Sequence, residues 1–257
     1  MKILIGSPVR CSEPWQTKAF KHYLESLDNL EKPCQTDRLF LLHNSPHLRE
    51  YVKEGAISGG TQYLADVETP DTYKCTEKTH EWESPNLLAV TAMRNYLIST
   101  AREMGYDYYF MVDSDLVLHP QTLVKLIEAQ KDIVAEAFWT KWTPDDIEAV
   151  NAWDRDLYSF SPDRDTRFKQ FRTPGLYKVG MSGACIMMNK KVLESKINYD
   201  YIPCVSFWGE DRAFSIRAAC AGFEIWLDTH HPPIHLYRPS ELNKYVENGG
   251  YKAAFSI

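Results

Sequence analysis

YDYYFMVDSDLVLHP, residues 106–120, decides the fold. Tyr108–Val112 is a short apolar run of the kind that forms a strand buried on both faces of a parallel sheet. It gives way at once to Asp113-Ser114-Asp115, and Pro120 then suits the first turn of a helix reaching about Gln130. Strand, acidic turn and helix in that order put carboxylates at the carboxyl end of a strand, where α/β sheets bind ligands. Two carboxylates one residue apart can approach one hard cation, and a divalent cation can hold a diphosphate. The same three residues also read as a solvated turn that caps the following helix.

The alternation extends outward in both directions. Toward the N-terminus lie a strand at Lys2–Ile5 ending at Gly6-Ser7-Pro8, a helix over Trp15–Leu30 and a strand at Asp37–His43. A short helix near Pro46, a weaker strand at Gln62–Val67, a polar loop over 69–85 and a long helix over Asn86–Met104 follow. Toward the C-terminus come strands at Ile133–Phe138, Leu176–Val179 and Ala184–Asn189. A helix over Glu210–Ala221, closed by Gly222, leads to a last strand at Glu224–Leu227. Strands alternating with helices predict an α/β fold with a mostly parallel central sheet flanked by helices. One domain over residues 1–257 accommodates the pattern, with two departures. Residues 139–174 mix charges with aromatics and break the rhythm as a long loop or insertion, and a tail rich in His, Pro and Tyr begins at about residue 230.

Composition narrows the class. Of 257 residues, 44% are apolar and 25% charged, which excludes disorder and collagen-like repeats. Lysine and arginine number 29 against 35 acidic residues, a net charge of −6 that gives no support to broad nucleic-acid or anionic-membrane binding. No apolar run approaches the roughly 20 residues of a bilayer span, and the opening MKILIGSPVR reads as a buried strand rather than a signal peptide. The six cysteines are scattered without a C-x-x-C pair, which suits a reducing, cytoplasmic setting.

Other residues carry candidate chemistry. Asp211, after Trp208-Gly209-Glu210, opens a helix, where a carboxylate serves either as a favourable helix-start charge or as a general base. His230, His231 and His235 offer imidazoles to Mn²⁺ or Mg²⁺, or lie exposed. Arg94, in Met93-Arg94-Asn95 on the long helix, suits phosphate geometry or a helix surface. The aromatics of 139–174 either stack on a sugar or form a small core of their own.

Taken together these pieces resemble the GT-A glycosyltransferases, family 2-like members in particular. The matching stretches are SPVR at 7–10, the Arg94-Asn95 pair, the 106–120 segment, VGMSGACIMMNKKVLE at 179–194, WGEDRAFSIRAACAGFEIWLD at 208–228 and the later His235. They keep the family's order from residue 2 to about 238; only 139–174 has no counterpart. The resemblance implies a nucleotide-diphosphate-sugar donor, a divalent cation (manganese or magnesium) and a metal-dependent, inverting transfer to an acceptor hydroxyl. It implies that Ser7, Pro8, Val9 and Arg10 line the nucleotide pocket and that Arg94 holds nucleotide or diphosphate. Asp113, with Ser114 beside it, would face the ribose or the metal, Asp115 would ligate the metal, and His235 would add a ligand. Gly183 and Ala184 would allow close approach of the donor sugar. Asp211 would be the base and Glu210 would orient it or the acceptor. Trp139, Trp142, Trp153 and Trp208 are acceptor-side candidates, the acceptor being a glycan, a protein or a nucleobase. A nucleotidyltransferase and a non-catalytic nucleotide-sugar-binding module are the alternatives.

Overall fold

The computed structural model describes residues 1–256 apart from Asp71, Thr72, Thr79, Trp82, Leu157, Phe207 and Trp208. Its centre is a nine-stranded sheet: β1 Lys2–Val9, β2 Gln35–His43, β3 Gly55–Ile57, β4 Gly60–Val67, β5 Tyr108–Val112, β6 Ile133–Glu136, β7 Leu176–Val179, β8 Cys185–Asn189 and β9 Ile225–Asp228. In space the order is β7-β9-β6-β8-β5-β1-β2-β4-β3. Six strands (β1, β2, β4, β5, β6 and β9) share one direction, while β8 runs antiparallel between β5 and β6, and β7 and β3 close the edges antiparallel.

Strand alternation sorts the core. In β5, Tyr109 and Met111 face a cluster built with α2 (Ser84–Glu103), while Phe110 and Val112 face one built with α1 (Pro14–Asp28) and α3 (Thr122–Glu128). Along α2 the buried residues Ala89, Met93, Leu97 and Ala101 recur every four positions, the spacing of one helical face. Arg94 lies on the margin of that face and is itself 3% exposed, so its charge requires partners. β1 runs four residues past its expected end, paired with β2 as far as Val9 and Leu42, and Gly6 passes under Tyr109, where a Cβ would stand 2.6 Å from the ring.

Residues 139–174 are not the structureless loop the sequence suggested. Trp139–Thr140 pairs with Ala149–Val150, Ala152–Trp153 pairs with Met181–Ser182, and α4 spans Arg164–Phe171. Phe171, with Trp139, Phe160 and Phe168 partly buried beside it, joins the main core, so these four aromatics serve packing. The 69–85 segment also holds a small hairpin, Lys74–Cys75 with His80–Glu81. Helix α5 (Lys190–Glu194) precedes α6 (Glu210–Cys220), and the tail folds into α7 (Pro239–Glu247) and α8 (Gly250–Ala254). α7 and α8 bury Leu242, Tyr245 and Tyr251 against Ala19 of α1.

Candidate functional site

The acidic turn leaves β5 between two long-range partners. On one side, Asp113 meets Arg94, whose Nη2 donates to both carboxylate oxygens at 3.0 and 3.2 Å. Nη1 of the same guanidinium lies 2.7 Å from Glu210 Oε1 and also donates to Asp211 Oδ1. One buried cation therefore gathers three carboxylates from the end of β5 and the first turn of α6. Burial works against the charge of Arg94, and Asp211, Glu210 and Asp113 more than restore it. The carboxylates outnumber the cation. Burial pushes Asp211 up to about 7, Arg94 opposing and Glu210 and Asp113 adding to the rise. Burial likewise pushes Asp113 up to about 6, with Arg94 opposing and Asp115 and Glu210 adding.

Two further contacts fix this cluster. Asn95, the neighbour of Arg94, accepts from the Tyr199 backbone at 2.8 Å and donates to Asp200 at 2.6 Å, tying the chain ahead of α6 to α2. Gly183 lies so close to Asp211 that a Cβ would stand 2.0 Å from Oδ2. Its lack of a side chain makes room for that carboxylate. Ala184, at φ +62°, accepts from the Asp113 backbone at 2.8 Å.

On the other side, Leu116–Val117 pairs antiparallel with Ile234–His235, which brings His235 Nε2 to 3.3 Å from Asp115 Oδ2. Burial raises the Asp115 carboxyl, but His235, through charge and hydrogen bond, and then His80 bring it below the ordinary range. Two adjacent ligands of one octahedral cation stand about 3 Å apart at metal–ligand distances of about 2.1 Å, so this pair fits as two of its six ligands. Asp115 Oδ1 is buried without a hydrogen-bond partner, as an orphaned ligand atom would be. Asp113 fits less well, because Arg94 occupies both its oxygens. Among the described residues no group of three or more His, Cys, Asp or Glu stands at ligand spacing.

Between these partners opens a cleft with about 850 Å³ of empty space, its open mouth included. Pro8, Val9, Arg10, Arg94, Asp113, Ser114 and Asp115 all line it. Ser7 does not: it is fully buried in the wall, 2.5 Å from the Tyr23 hydroxyl. Sequence reasoning missed the hairpin that closes one side. Tyr73 lies under the Arg10 guanidinium at 4.1 Å, and His80 stacks on Tyr237 at 3.8 Å. His80 Nε2 faces the Tyr237 carbonyl and Nδ1 faces the Tyr73 hydroxyl, both at 2.6 Å, and burial pushes its pKa down to about 4. The Tyr73–His80 spacing across a turn was its only signal.

The aromatic candidates separate. Trp139 is half-buried, edge-on to Phe168 at 5.4 Å, with Arg172 3.4 Å over its ring. Trp142 is 39% exposed. Trp153 packs on Tyr158 at 4.9 Å, beside the start of α6, where Arg212 holds Asp156 at 3.0 Å. Trp208 lies outside the described residues.

A model of the N-terminal domain of glycosyltransferase family 25 matches residues 18–204, nearly three-quarters of the chain, taking in Arg94 and the acidic turn and ending before Asp211. Procollagen galactosyltransferase 2 of Homo sapiens is 24% identical over 251 residues, 88% of this chain and 38% of that protein. Inactive glycosyltransferase 25 family member 3 of Mus musculus is 27% identical over 144 residues, 48% of this chain and 24% of that protein. The chain thus spans well under half the length of either relative. Among solved structures, S. aureus TarS 1-349 in complex with UDP superposes with a TM-score of 0.53 at 14% identity, covering 91% of this chain and 59% of that one. At that identity the likeness is one of fold, the GT-A glycosyltransferase fold.

Proposed function

The chain belongs to glycosyltransferase family 25, and from that premise we propose that it moves a sugar from a nucleotide-diphosphate donor to an acceptor hydroxyl, with a divalent cation and with inversion. The observation that carries this is the convergence of Arg94 on Asp113, Glu210 and Asp211 beside a cleft lined by Arg94, Asp113 and Asp115, with His235 facing Asp115 from behind. The cleft receives the donor, with Pro8–Arg10 and Tyr73 as its nucleotide wall. Asp115 and His235 are the residues that would hold Mn²⁺ or Mg²⁺, which when bound neutralises charge on the diphosphate as a Lewis acid.

In this reading Asp211 takes the proton of the acceptor hydroxyl while its oxygen bonds to the anomeric carbon. The bond from that carbon to the diphosphate breaks on the opposite face, and the nucleoside diphosphate leaves with the electron pair. A carboxyl near 7 suits a base working at neutral pH. Arg94 is a positioning group: it aims Asp211 and offsets one negative charge of the cluster. The names of the relatives and the UDP bound to TarS make UDP-galactose and UDP-N-acetylglucosamine the first donors to test, and the cytoplasmic setting read from the cysteines belongs to the same proposal.

One relative is named inactive, which favours a second reading, a module that binds a nucleotide sugar without turnover. Melting temperature measured with UDP, UDP-galactose and UDP-N-acetylglucosamine, with manganese or with chelator, tests donor binding. Release of UDP from the bound donor tests turnover. The transferase predicts a metal-dependent rise in melting temperature and metal-dependent UDP release. No rise with any of the three, or release of pyrophosphate, overturns it, and binding without release selects the second reading.

A further inference from the structure

Asp211 does not line the donor cleft, yet 27% of its side chain is open to solvent, so the carboxylate is approached from outside that cleft. Three residues bound the approach. Gly183 lies against Oδ2, Gly209 precedes the Glu210-Asp211 pair, and the Tyr158 hydroxyl stands beside Gly209, 3.3 Å from where a Cβ would be. Trp153, edge-on to Tyr158 at 4.9 Å, lies on the strand Ala152–Trp153, whose partner Met181–Ser182 leads directly into Gly183. Both aromatics are half-buried.

Tyr158 is held there against its own backbone preference. Its φ of +57° falls in the left-handed region, which bulky side chains rarely adopt. Such strain persists only where the surroundings over-determine it, and it clusters at active sites and ligand clamps. Here the surroundings are dense with bonds. The Ser159 carbonyl accepts from the Asp154 and Arg155 backbones at 3.0 and 3.2 Å. The Asp154 carboxylate takes Arg167 at 2.7 Å and the Ser161 backbone at 2.8 Å. Arg212, the neighbour of Asp211, donates to Asp156 at 3.0 Å and to the Ser206 carbonyl at 2.6 Å, which fastens the turn to the start of α6.

We propose that Tyr158 and Trp153 form an acceptor subsite for an uncharged sugar, with the Tyr158 hydroxyl bonding a sugar oxygen. Burial, then Asp211 and Glu210, push the phenol up to about 12, so it keeps its proton and both donates and accepts, as sugar hydroxyls do. The two rings offer apolar surface to sugar C–H faces. Charge selects a neutral ligand. Asp113, Glu210 and Asp211 share Arg94 alone among the described residues, Asp154 and Asp156 are matched by Arg167 and Arg212, and Arg155 donates to Ser161. The surplus beside the approach is negative, which repels a phosphate or carboxylate. That the bound sugar presents a hydroxyl to Asp211 rests on the transferase reading; its binding at Tyr158 does not.

The test is saturation-transfer NMR on the full chain with UDP and manganese present. Methyl β-galactoside, methyl β-glucoside and methyl β-N-acetylglucosaminide are the neutral probes, and galactose 6-phosphate and galacturonic acid the anionic ones. Release of UDP from UDP-galactose and UDP-N-acetylglucosamine is followed in parallel. At least one neutral glycoside is expected to bind, and the anionic sugars roughly tenfold more weakly. Tyr158→Phe keeps the ring and is expected to weaken the glycoside about fivefold, one hydrogen bond's worth, with manganese-dependent UDP binding as in the parent. No binding by any neutral glycoside, equal binding by Tyr158→Phe, or anionic sugars binding as well as neutral ones overturns the inference. If a glycoside binds through Tyr158 and UDP is never released, the transferase reading falls and the subsite stands; if UDP is released and no glycoside binds, the reverse holds.

Discussion

Asp113 and Asp115 are one residue apart in the chain and work in opposite surroundings. Asp113 shares a single guanidinium with two other carboxylates, and burial leaves it pushed up to about 6. Asp115 faces an imidazole at 3.3 Å and is drawn below the ordinary carboxylate range. The first surroundings hold protons near neutrality, and the second hold negative charge. Neither property belongs to the acidic turn. Each comes from the distant element that meets it, α2 in one case and the Ile234–His235 strand in the other. A turn that looks symmetric in sequence thus divides into a proton-handling side and a side that keeps its negative charge.

That division can be broken experimentally. The largest effect is expected from Arg94→Ala, which strands one buried and two half-buried carboxylates. Stability should fall by about 3–5 kcal/mol, read by urea unfolding, and transfer should be lost with it; an unchanged unfolding midpoint would show that the arginine does not hold the cluster. Asp211→Asn keeps the shape and removes the proton acceptor. Turnover should drop by roughly 10²–10⁴, with melting temperature and manganese-dependent UDP binding preserved, since neither depends on the base. Near-normal turnover would reduce Asp211 to a helix-start charge.

Gly183→Ala drives a methyl into the Asp211 carboxylate. Displacing a reacting group by about 1 Å costs on the order of 10² in rate, so kcat should fall by about that factor while UDP affinity stays. A normal kcat would mean Asp211 can act from another position. The smallest effect is the pH profile. A base with a pKa of about 7 must be deprotonated to work, so kcat/KM should fall about tenfold per unit below pH 7. Stability should move the other way. Asp113 and Asp211 bind protons more tightly folded than unfolded, so their contribution is fully present below about pH 4 and is lost as pH rises through about 6 and 7. A melting temperature that rises with pH across that window in the parent, and equally in Asp211→Asn, would remove the proton-handling side of the comparison.

Much of this was legible in the chain, for reasons that can be named. Tyr108–Val112 was readable because a strand buried on both faces is apolar without interruption, and the carboxylates follow its end. Leu176–Val179 and Glu210–Cys220 were marked by flanking glycines and by a helical start. Strands of two residues, such as Trp139–Thr140 and Ala152–Trp153, are too short to show any period, so 139–174 read as a loop although its aromatics pack into the core. α7 did carry a signal, Pro239 at its start with Leu242 and Tyr245 three apart, masked by the proline-rich run before it. The residue types of the site were legible singly. That Arg94 would reach Asp211 across 117 positions was not, because only the packing of α2 on α6 brings them together.

The space at Gly183 also sets an order in which descendants of this chain can change. A side chain at 183 collides with the carboxylate at 211, whereas a shorter residue at 211 collides with nothing at 183. Drift therefore runs more easily one way: a lineage that first gives up the acid can then accept any small residue in place of the glycine, and one that keeps the acid cannot. Read across relatives, a filled position 183 would be a fossil of an abandoned base, visible even where the acidic turn has survived intact.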